Sequence, residues 1–198
     1  MISTLLCDLG GVLLGADPGR AVHALARLSG RPQAELEAGI LGALKADFDA
    51  GRLPVAAFLD AVRAACRAPL TDAQIREAWN AIVAEPLPFV PAAGRLAARH
   101  PTYLFSNTDP LHLAVARERL PALGRFRGLW PSYEAGCLKP DPEYYRRAFR
   151  RFALAPASCV LVDDRPENVE AIVALGASGI VHESAERTEA ALREIGLS

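Results

Sequence analysis

Short apolar runs that alternate with helical patterns fill the second half of this chain, and they constrain its fold more than any other feature. The runs lie at residues 102–105, 128–133, 158–162 and 180–181, and proline or Asp-Pro opens the helical segments between them. Strands that alternate with helices are typical of a parallel sheet with right-handed crossovers. The sequence therefore predicts an α/β fold built on a parallel sheet.

The chain begins with another strand pattern, residues 2–7, and this one ends at a carboxylate. Asp8 follows it directly, and Gly10 and Gly11 come next. A charged side chain inside a buried strand costs several kcal/mol unless it is paired or bound to a metal. Asp8 is therefore expected at the carboxyl end of its strand, in the same sheet as the later strands.

The stretch between the first strand and the later block reads as helical throughout. Apolar residues at helical spacing predict four amphipathic helices between residues 17 and 85, among them one over 36–48. Three prolines in EPLPFVP, residues 85–91, then favour an extended connector. We predict an α/β core of residues 1–16 and 87–198, and an inserted helical domain of residues 17–86.

Composition favours a protein that acts on small molecules. The chain has 198 residues and a net charge of −1, which does not suggest a nucleic-acid or membrane partner. No apolar run approaches the roughly 20 residues that span a bilayer, so we expect a soluble, cytoplasmic protein. The four cysteines show no CxxC pairing and are expected to be reduced; they are Cys7, Cys66, Cys137 and Cys159. The sequence does not predict an oligomeric state.

Polar residues cluster at the predicted carboxyl ends of the strands, where parallel sheets bind their ligands. They are Asp8, Ser106, Asn107, Lys139, Asp163 and Asp164. Converging carboxylates call for a divalent cation, and oxygen ligands suit Mg²⁺. A hydroxyl, an amide and an ammonium could hold the oxygens of a phosphoryl group. Only two of the 22 basic residues are lysines, so Lys139 is an exception in an arginine-rich chain.

Four segments in this order resemble the motifs of the haloacid dehalogenase-like (HAD) superfamily: CDLGGVL, LFSNTD, LKPDPEYY and VLVDDRPENVEAIVALG. The helical insertion resembles that family's type I cap. The segment DLGG resembles a branch of the family in which DLG is followed by Gly or Asn. The resemblance spans residues 8–176 and implies a Rossmann-like core with an all-helical cap.

The resemblance also implies a role for each matching residue. Asp8 would attack phosphorus and become an aspartyl phosphate, which water then hydrolyses. Mg²⁺ would be held by Asp8, the Gly10 carbonyl and one or both of Asp163 and Asp164. Phosphate oxygens would contact Ser106 and the Asn107 amide, Lys139 would offset charge, and Asn168 would support the metal ligands from behind.

One position departs from the family pattern. Phosphatase members usually carry a second aspartate two residues after the nucleophile, which protonates the leaving group, and here that position is Gly10. Losing a positioned acid or base costs roughly 10²- to 10⁴-fold in rate. The inserted helices offer no pattern that identifies a substrate, since their charges are compatible with a solvated face: Lys45, Asp47, Asp49 and Arg52.

Three functional hypotheses follow. The first is a Mg²⁺-dependent phosphatase of a small phosphorylated metabolite, such as a sugar phosphate. The second is a haloacid dehalogenase, which needs no metal and for which the two late carboxylates are poorly suited. The third is a non-catalytic phospho-ligand binder or regulatory protein. A receiver domain combines similar residues, but the helical insertion and the position of the paired acids after the lysine argue against it.

Overall fold

The computed structural model describes all 198 residues, and seven strands are present in it. They are β1 (Thr4–Cys7), β2 (Leu14–Ala16), β3 (Val83–Pro86), β4 (Thr102–Ser106), β5 (Gly128–Pro131), β6 (Cys159–Asp163) and β7 (Ser178–Val181). Five of them form one parallel sheet in the order β5-β4-β1-β6-β7. The two others, β2 and β3, form a separate antiparallel pair.

Eleven α-helices complete the fold. They are α1 (Pro18–Ser29), α2 (Gln33–Ile40), α3 (Ala43–Asp49), α4 (Val55–Cys66), α5 (Asp72–Asn80), α6 (Val90–Arg99), α7 (Pro110–Arg119), α8 (Ser132–Ala135), α9 (Pro142–Phe152), α10 (Pro166–Val173) and α11 (Ala185–Glu194). Two short 3₁₀ turns, Pro121–Arg125 and Pro156–Ser158, lie between them.

The strands are buried on both faces because apolar side chains fill both of their alternating sets. Leu5 and Cys7 belong to one hydrophobic cluster, whereas Leu6 belongs to another together with residues of β4 and α9. Helices cover the two faces, which confirms the α/β fold predicted from the alternating pattern. The helices α1 to α5 enclose a third cluster, in which the rings of Phe48 and Phe58 stack 3.9 Å apart.

The helical insertion differs from its sequence-based prediction in one detail. The helix predicted over 36–48 is two helices, α2 and α3, because the backbone leaves the helical region at Gly42 (φ −87°, ψ −123°). The insertion therefore has five helices. Glycine lowers helix stability by about 1 kcal/mol relative to alanine, which favours a break there.

The connector after the insertion also departs from expectation. Residues 83–86 form β3, which pairs with β2. Neither strand was predicted, because their sequences, LGA and VAEP, contain no continuous apolar run. The remaining part of EPLPFVP turns into α6, which accepts Pro91 in its first turn. The division into domains of residues 1–16 with 87–198 and of 17–86 stays a prediction. No helix combines the length and the apolar character that crossing a bilayer requires.

Candidate functional site

The register of the sheet brings the predicted polar residues to one edge. Cys7 of β1 pairs with Leu104 of β4 on one side and with Val162 of β6 on the other. Because the strands are parallel, Asp8 and Asp163 follow at the same level, and Ser106 closes β4 beside them. The order of the strands reverses around β1, which is where open α/β sheets form their binding crevice.

A buried lysine joins the two carboxylates of this edge. The Nζ atom of Lys139 lies 3.0 Å from Oδ1 of Asp8 and 2.5 Å from Oδ2 of Asp163, and it donates to the carbonyl oxygen of Phe105 at 2.9 Å. All three of its N–H groups are therefore engaged. A compact ammonium can satisfy three acceptors in this way, whereas a planar guanidinium cannot, which gives a physical reason for a lysine here.

Burial dominates the electrostatics of the site. It raises the pKa of Asp8 to about 7, since removal from water outweighs the attraction of Lys139 and Asp163 adds repulsion. Burial acts in the opposite direction on Lys139, but the Asp8 and Asp163 carboxylates outweigh it and raise the pKa of this lysine. Lys139 therefore stays charged, and the ionisation of Asp8 responds to any further positive charge placed beside it.

Three carboxylates at this edge could hold a metal ion. Asp8, Asp163 and Asp164 each offer an oxygen, and the three oxygens lie within 4.8 Å of one another. Burial and the Asp163 carboxylate raise the pKa of Asp164, as expected for acids that crowd together without a cation. Hard oxygen donors at this separation fit Mg²⁺.

Asp163 and Asp164 differ in the number of hydrogen bonds and ion pairs that their carboxylates already make. Asp163 accepts hydrogen bonds from the Arg165 backbone N–H at 3.0 Å, from Asn168 Nδ2 at 2.8 Å and from Lys139. Asp164 is exposed and has no ion pair. Asp164 is thus the more available metal ligand of the pair.

Gly11 allows the Asp164 carboxylate to approach the loop after β1. Its φ is +74°, and a Cβ atom built there would lie 2.2 Å from Oδ2 of Asp164. We expect Gly11→Ala to displace Asp164 and weaken Mg²⁺ binding at least about 10-fold. Calorimetric titration of the protein with Mg²⁺ measures this affinity.

Gly30→Ala is the matched control for that variant. Gly30 has a φ of +70° but nothing within 4 Å of its Cβ position, so alanine there adds the same backbone strain without a collision. We expect it to lower stability and to leave Mg²⁺ binding unchanged. An unaltered affinity for Mg²⁺ in Gly11→Ala would contradict the predicted role of this close approach.

The remaining predicted residues also lie at this edge. Asn107 makes a reciprocal pair of hydrogen bonds with the Lys139 backbone, both of 2.8 Å, which fixes the loop that carries the lysine. Asn168 contacts Asp163 and is fully buried. Gly10 and Ser106 line a small cavity of about 120 Å³ next to the larger one that contains Asp8. The positioning role of the Asn107 side chain was not predicted from the sequence.

One wall of the larger cavity, of about 500 Å³, consists of residues that were not predicted from the sequence to face it. Helix α3 contributes Lys45 and Asp49 to it, and their side chains form an ion pair. The expectation that the four charged residues Lys45, Asp47, Asp49 and Arg52 of the insertion face water is therefore wrong for Lys45 and Asp49. It holds for Asp47 and Arg52, which pair at the surface. Lys45 and Asp49 are four residues apart and therefore share one face of a helix, a signal that could have distinguished them from Asp47.

A buried polar network near the site was also missed. The Asp109 carboxylate caps α7 by accepting from Leu111 N–H and His112 N–H, and it accepts from Trp79 Nε1 at 2.9 Å. The ring of His112 places Nδ1 2.7 Å from Asp109 and Nε2 3.0 Å from the Trp79 carbonyl oxygen. Asp109 was predicted only as a helix cap, since nothing in the sequence links it to Trp79, 30 residues away.

Comparisons with curated proteins give two informative relatives. The chain is 26% identical over 180 residues to D-ribitol-5-phosphate phosphatase of Bacteroides thetaiotaomicron, which covers 85% of this chain and 86% of that protein. It is 28% identical over 96 residues to flavin mononucleotide hydrolase 1 of Arabidopsis thaliana. That second alignment covers 48% of this chain and only 39% of the plant protein.

Solved structures agree on the fold. A HAD family enzyme of B. thetaiotaomicron, in a magnesium complex, superposes with a TM-score of 0.86 at 25% identity and covers 97% of this chain and 98% of its own. L-2-haloacid dehalogenase of Xanthobacter autotrophicus superposes with a TM-score of 0.64 at 17% identity, over 100% of this chain and 85% of its own.

A comparison with family sequence models identifies the family itself. The model described as haloacid dehalogenase-like hydrolase matches residues 2–176, a range that includes every residue of the sheet edge described above. The match agrees with the four motifs, with the sheet order and with the carboxylate cluster. This chain therefore belongs to the haloacid dehalogenase-like hydrolase family.

Proposed function

We propose that this hydrolase is a Mg²⁺-dependent phosphatase of a small phosphorylated metabolite, with a sugar or polyol phosphate as its substrate and Asp8 as its nucleophile. The observation that carries the proposal is the buried Lys139 ammonium, which contacts Asp8 and Asp163 beside a third carboxylate. The relative named for a polyol phosphate aligns with 85% of this chain and supports that substrate class.

Asp8 has one carboxylate oxygen free for attack. The Leu9 backbone N–H donates to Oδ1 at 2.6 Å and Lys139 contacts the same atom, whereas Oδ2 accepts no hydrogen bond from the protein. Oδ2 attacks phosphorus, the bond from phosphorus to the leaving oxygen breaks, and an aspartyl phosphate forms. Water then releases phosphate and restores the carboxylate, so that one difficult displacement becomes two easier ones.

The other residues at this edge of the sheet stabilise the negative charge of the nucleophile and of the phosphoryl group during these steps. Asp8, Asp164 and the Gly10 carbonyl, with Asp163 behind them, would hold Mg²⁺, which neutralises the carboxylates and the phosphoryl group and keeps Asp8 ionised. Ser106 and Asn107 bind phosphoryl oxygens, and Lys139 offsets the charge shared by nucleophile and phosphate. Asn168 positions Asp163 through their hydrogen bond.

Residues 17–86 act as a cap domain over a core of residues 1–16 and 87–198. The proposal is supported by the contribution of Lys45 and Asp49, both from α3, to the cavity that contains Asp8. A cap in this place excludes water from the reaction and contacts the leaving group.

The test measures phosphate release from a panel of sugar, polyol and nucleotide phosphates, with Mg²⁺ and with EDTA. We expect release from at least one polyol or sugar phosphate, and a fall of at least about 100-fold on chelation. Halide release from 2-haloacids that is indifferent to EDTA would favour the dehalogenase alternative. Saturable phosphate-ester binding without any turnover would favour a non-catalytic binder.

A further inference from the structure

The proposed phosphatase lacks a proton donor at the position its family uses. Gly10 occupies that position, and there is room for a side chain, because a Cβ atom built on it would meet only the Ala16 Cβ, at 3.5 Å. An alkoxide leaving group needs a proton as its bond to phosphorus breaks. Another group at the cavity must therefore supply this proton.

Most titratable groups of the site are already engaged. Lys139 uses its three N–H groups on Phe105, Asp8 and Asp163. His112 lines the small cavity, but both of its ring nitrogens have partners, Asp109 and the Trp79 carbonyl. Asp8, Asp163 and Asp164 form the carboxylate cluster. Lys139, His112, Asp8 and Asp163 would each lose a contact of the buried site on transferring a proton, and the proposed function uses Asp164 as an ionised metal ligand.

Lys45 is in a different situation. It lines the large cavity together with Asp8, and the small cavity together with Gly10 and Ser106. Its ammonium pairs with Asp49 only, so two of its three N–H groups have no partner within the protein. The side chain is 24% exposed, unlike that of Lys139. It therefore presents transferable protons to the space in which a substrate would lie.

The small number of lysines in the chain is a second, independent observation about Lys45. The chain has only two lysines against twenty arginines, and both lysines line the large cavity. An ammonium can act as a general acid, whereas a guanidinium holds its proton too tightly to do so. A lysine kept at this wall of the cavity is what proton transfer requires.

The pairing with Asp49 places the ammonium. Asp49 is buried in the wall of the cavity, with a side chain that is 7% exposed, and its Oδ2 accepts from Lys45 one helical turn earlier. Its other oxygen, Oδ1, is buried and has no partner. Lys45 thus has a fixed counter-ion on its own helix, which limits the positions that its flexible stem can adopt.

We propose that Lys45 is the general acid and base that replaces the carboxylate missing at Gly10, with Asp49 as its positioning residue. The ammonium gives a proton to the leaving oxygen as that oxygen separates from phosphorus and Oδ2 of Asp8 bonds to it. The resulting neutral amine takes a proton from the water that attacks the aspartyl phosphate. The ammonium is restored, and the products are an alcohol and inorganic phosphate. This proposal rests on the proposed phosphatase function.

The test compares Lys45→Arg with the native protein on two substrates. Arginine keeps the positive charge and can pair with Asp49, but it does not give up its proton. For an alkyl phosphate such as glycerol phosphate, kcat/KM should fall roughly 10²- to 10⁴-fold. For p-nitrophenyl phosphate, whose leaving group is stable without a proton, it should change less than about 3-fold. Lys45→Met should show the same split between the substrates.

Two further variants sharpen the comparison. Adding Gly10→Asp to Lys45→Arg returns a carboxylate to the family position and should restore at least about 10-fold of the lost alkyl phosphate activity. Arg52→Met is the matched control, because it removes a cation that pairs with Asp47 at the surface outside the cavity. It should leave both substrates unaffected.

The outcomes separate this inference from the function on which it rests. Equal losses on both substrates would mean that Lys45 only binds the phosphoryl group or shapes the cavity, and no loss would mean that it is idle; either result overturns the inference and leaves the phosphatase intact. A native protein that releases phosphate from neither substrate, nor from any of the panel, overturns the proposed function and this inference together.

Discussion

Replacing Asp8 with asparagine should reduce phosphate release by at least about 10⁴-fold while the protein stays folded. An amide cannot attack phosphorus, and the loss of a covalent nucleophile is among the largest single effects known in catalysis. The measurement is kcat with Mg²⁺ at saturating substrate. Asp47→Asn, which neutralises an exposed carboxylate of α3, serves as the control and should retain native kcat.

The same substitution should stabilise the metal-free protein at neutral and higher pH. Burial raises the pKa of Asp8 to about 7 in the folded state, above its ordinary value near 3.9. Between these values the folded protein holds a proton that the unfolded chain has lost, so native stability falls as the pH rises towards 7 and stays lower above it. Asparagine removes this loss.

Thermal unfolding in EDTA at pH 5 and pH 8 measures that effect. We expect Asp8→Asn to gain a few kcal/mol at pH 8 relative to the native protein, and less at pH 5. The remaining carboxylate, Asp163, still pairs with Lys139, so the lysine is not left without a counter-ion. Turnover that survives the substitution would contradict the nucleophile assignment, and a lower melting temperature at pH 8 would contradict the electrostatic argument.

Replacing Asp109 with asparagine should destabilise the fold by about 3–5 kcal/mol. Asp109 is completely buried and accepts from two backbone N–H groups, from the Trp79 indole and from the His112 ring. An amide would turn its NH₂ donor towards the Trp79 indole N–H, which is then left without an acceptor, and would remove the negative charge beside the His112 ring. Breaking a buried charged network in this way carries a cost of that size.

Asp141→Asn is the matched control for this variant. Asp141 is also a cap followed by proline, at the start of α9, but it is exposed and accepts only from Glu143 N–H. Asparagine caps helices about as well as aspartate, so its effect should stay below about 0.5 kcal/mol. Equal stability changes in the two variants would show that Asp109 acts only as a cap.

The cost of Asp109→Asn should also depend on pH. Although burial raises the pKa of Asp109, its hydrogen bonds and ion pair with His112 outweigh this and lower the pKa overall. The stabilisation from the ionised carboxylate is then complete above its ordinary pKa and is lost as the pH falls through the lower folded value. Denaturant unfolding at pH 7 and at the lowest pH at which the protein folds should show the difference between native and variant narrowing in acid.

The fold could be read from the sequence where a local signal was strong. Asp109-Pro110 and Asp141-Pro142 start helices as predicted, and every predicted strand of the parallel sheet is present within a few residues. The short strands β2 and β3 and the break at Gly42 were missed. β2 (LGA) and β3 (VAEP) carry no continuous apolar run like those of the parallel sheet, and the helical spacing of apolar residues over 36–48 continues across Gly42.

The candidate site could be read from the sequence only as a set of residues. The chain order of Asp8, Lys139 and Asp163 was enough to predict that they share one edge, because parallel strands end together there. The two aspartates lie at strand ends, whereas Lys139 lies in the loop after β5 and α8. Two features depend on the tertiary structure: the contact of the Lys139 ammonium with both carboxylates, and the pairing of Asn107 with the Lys139 backbone.

The sequence by itself determined the sheet, its carboxyl edge and the residues that converge there, because strand and helix patterns are local and a parallel sheet leaves few ways to join them. Only the tertiary structure decided which charges of the inserted helices face the cavity. The pairing of Lys45 with Asp49 is local, but their place in the cavity that contains Asp8 depends on how the insertion packs against the sheet. Packing between distant segments leaves no periodic pattern in the chain.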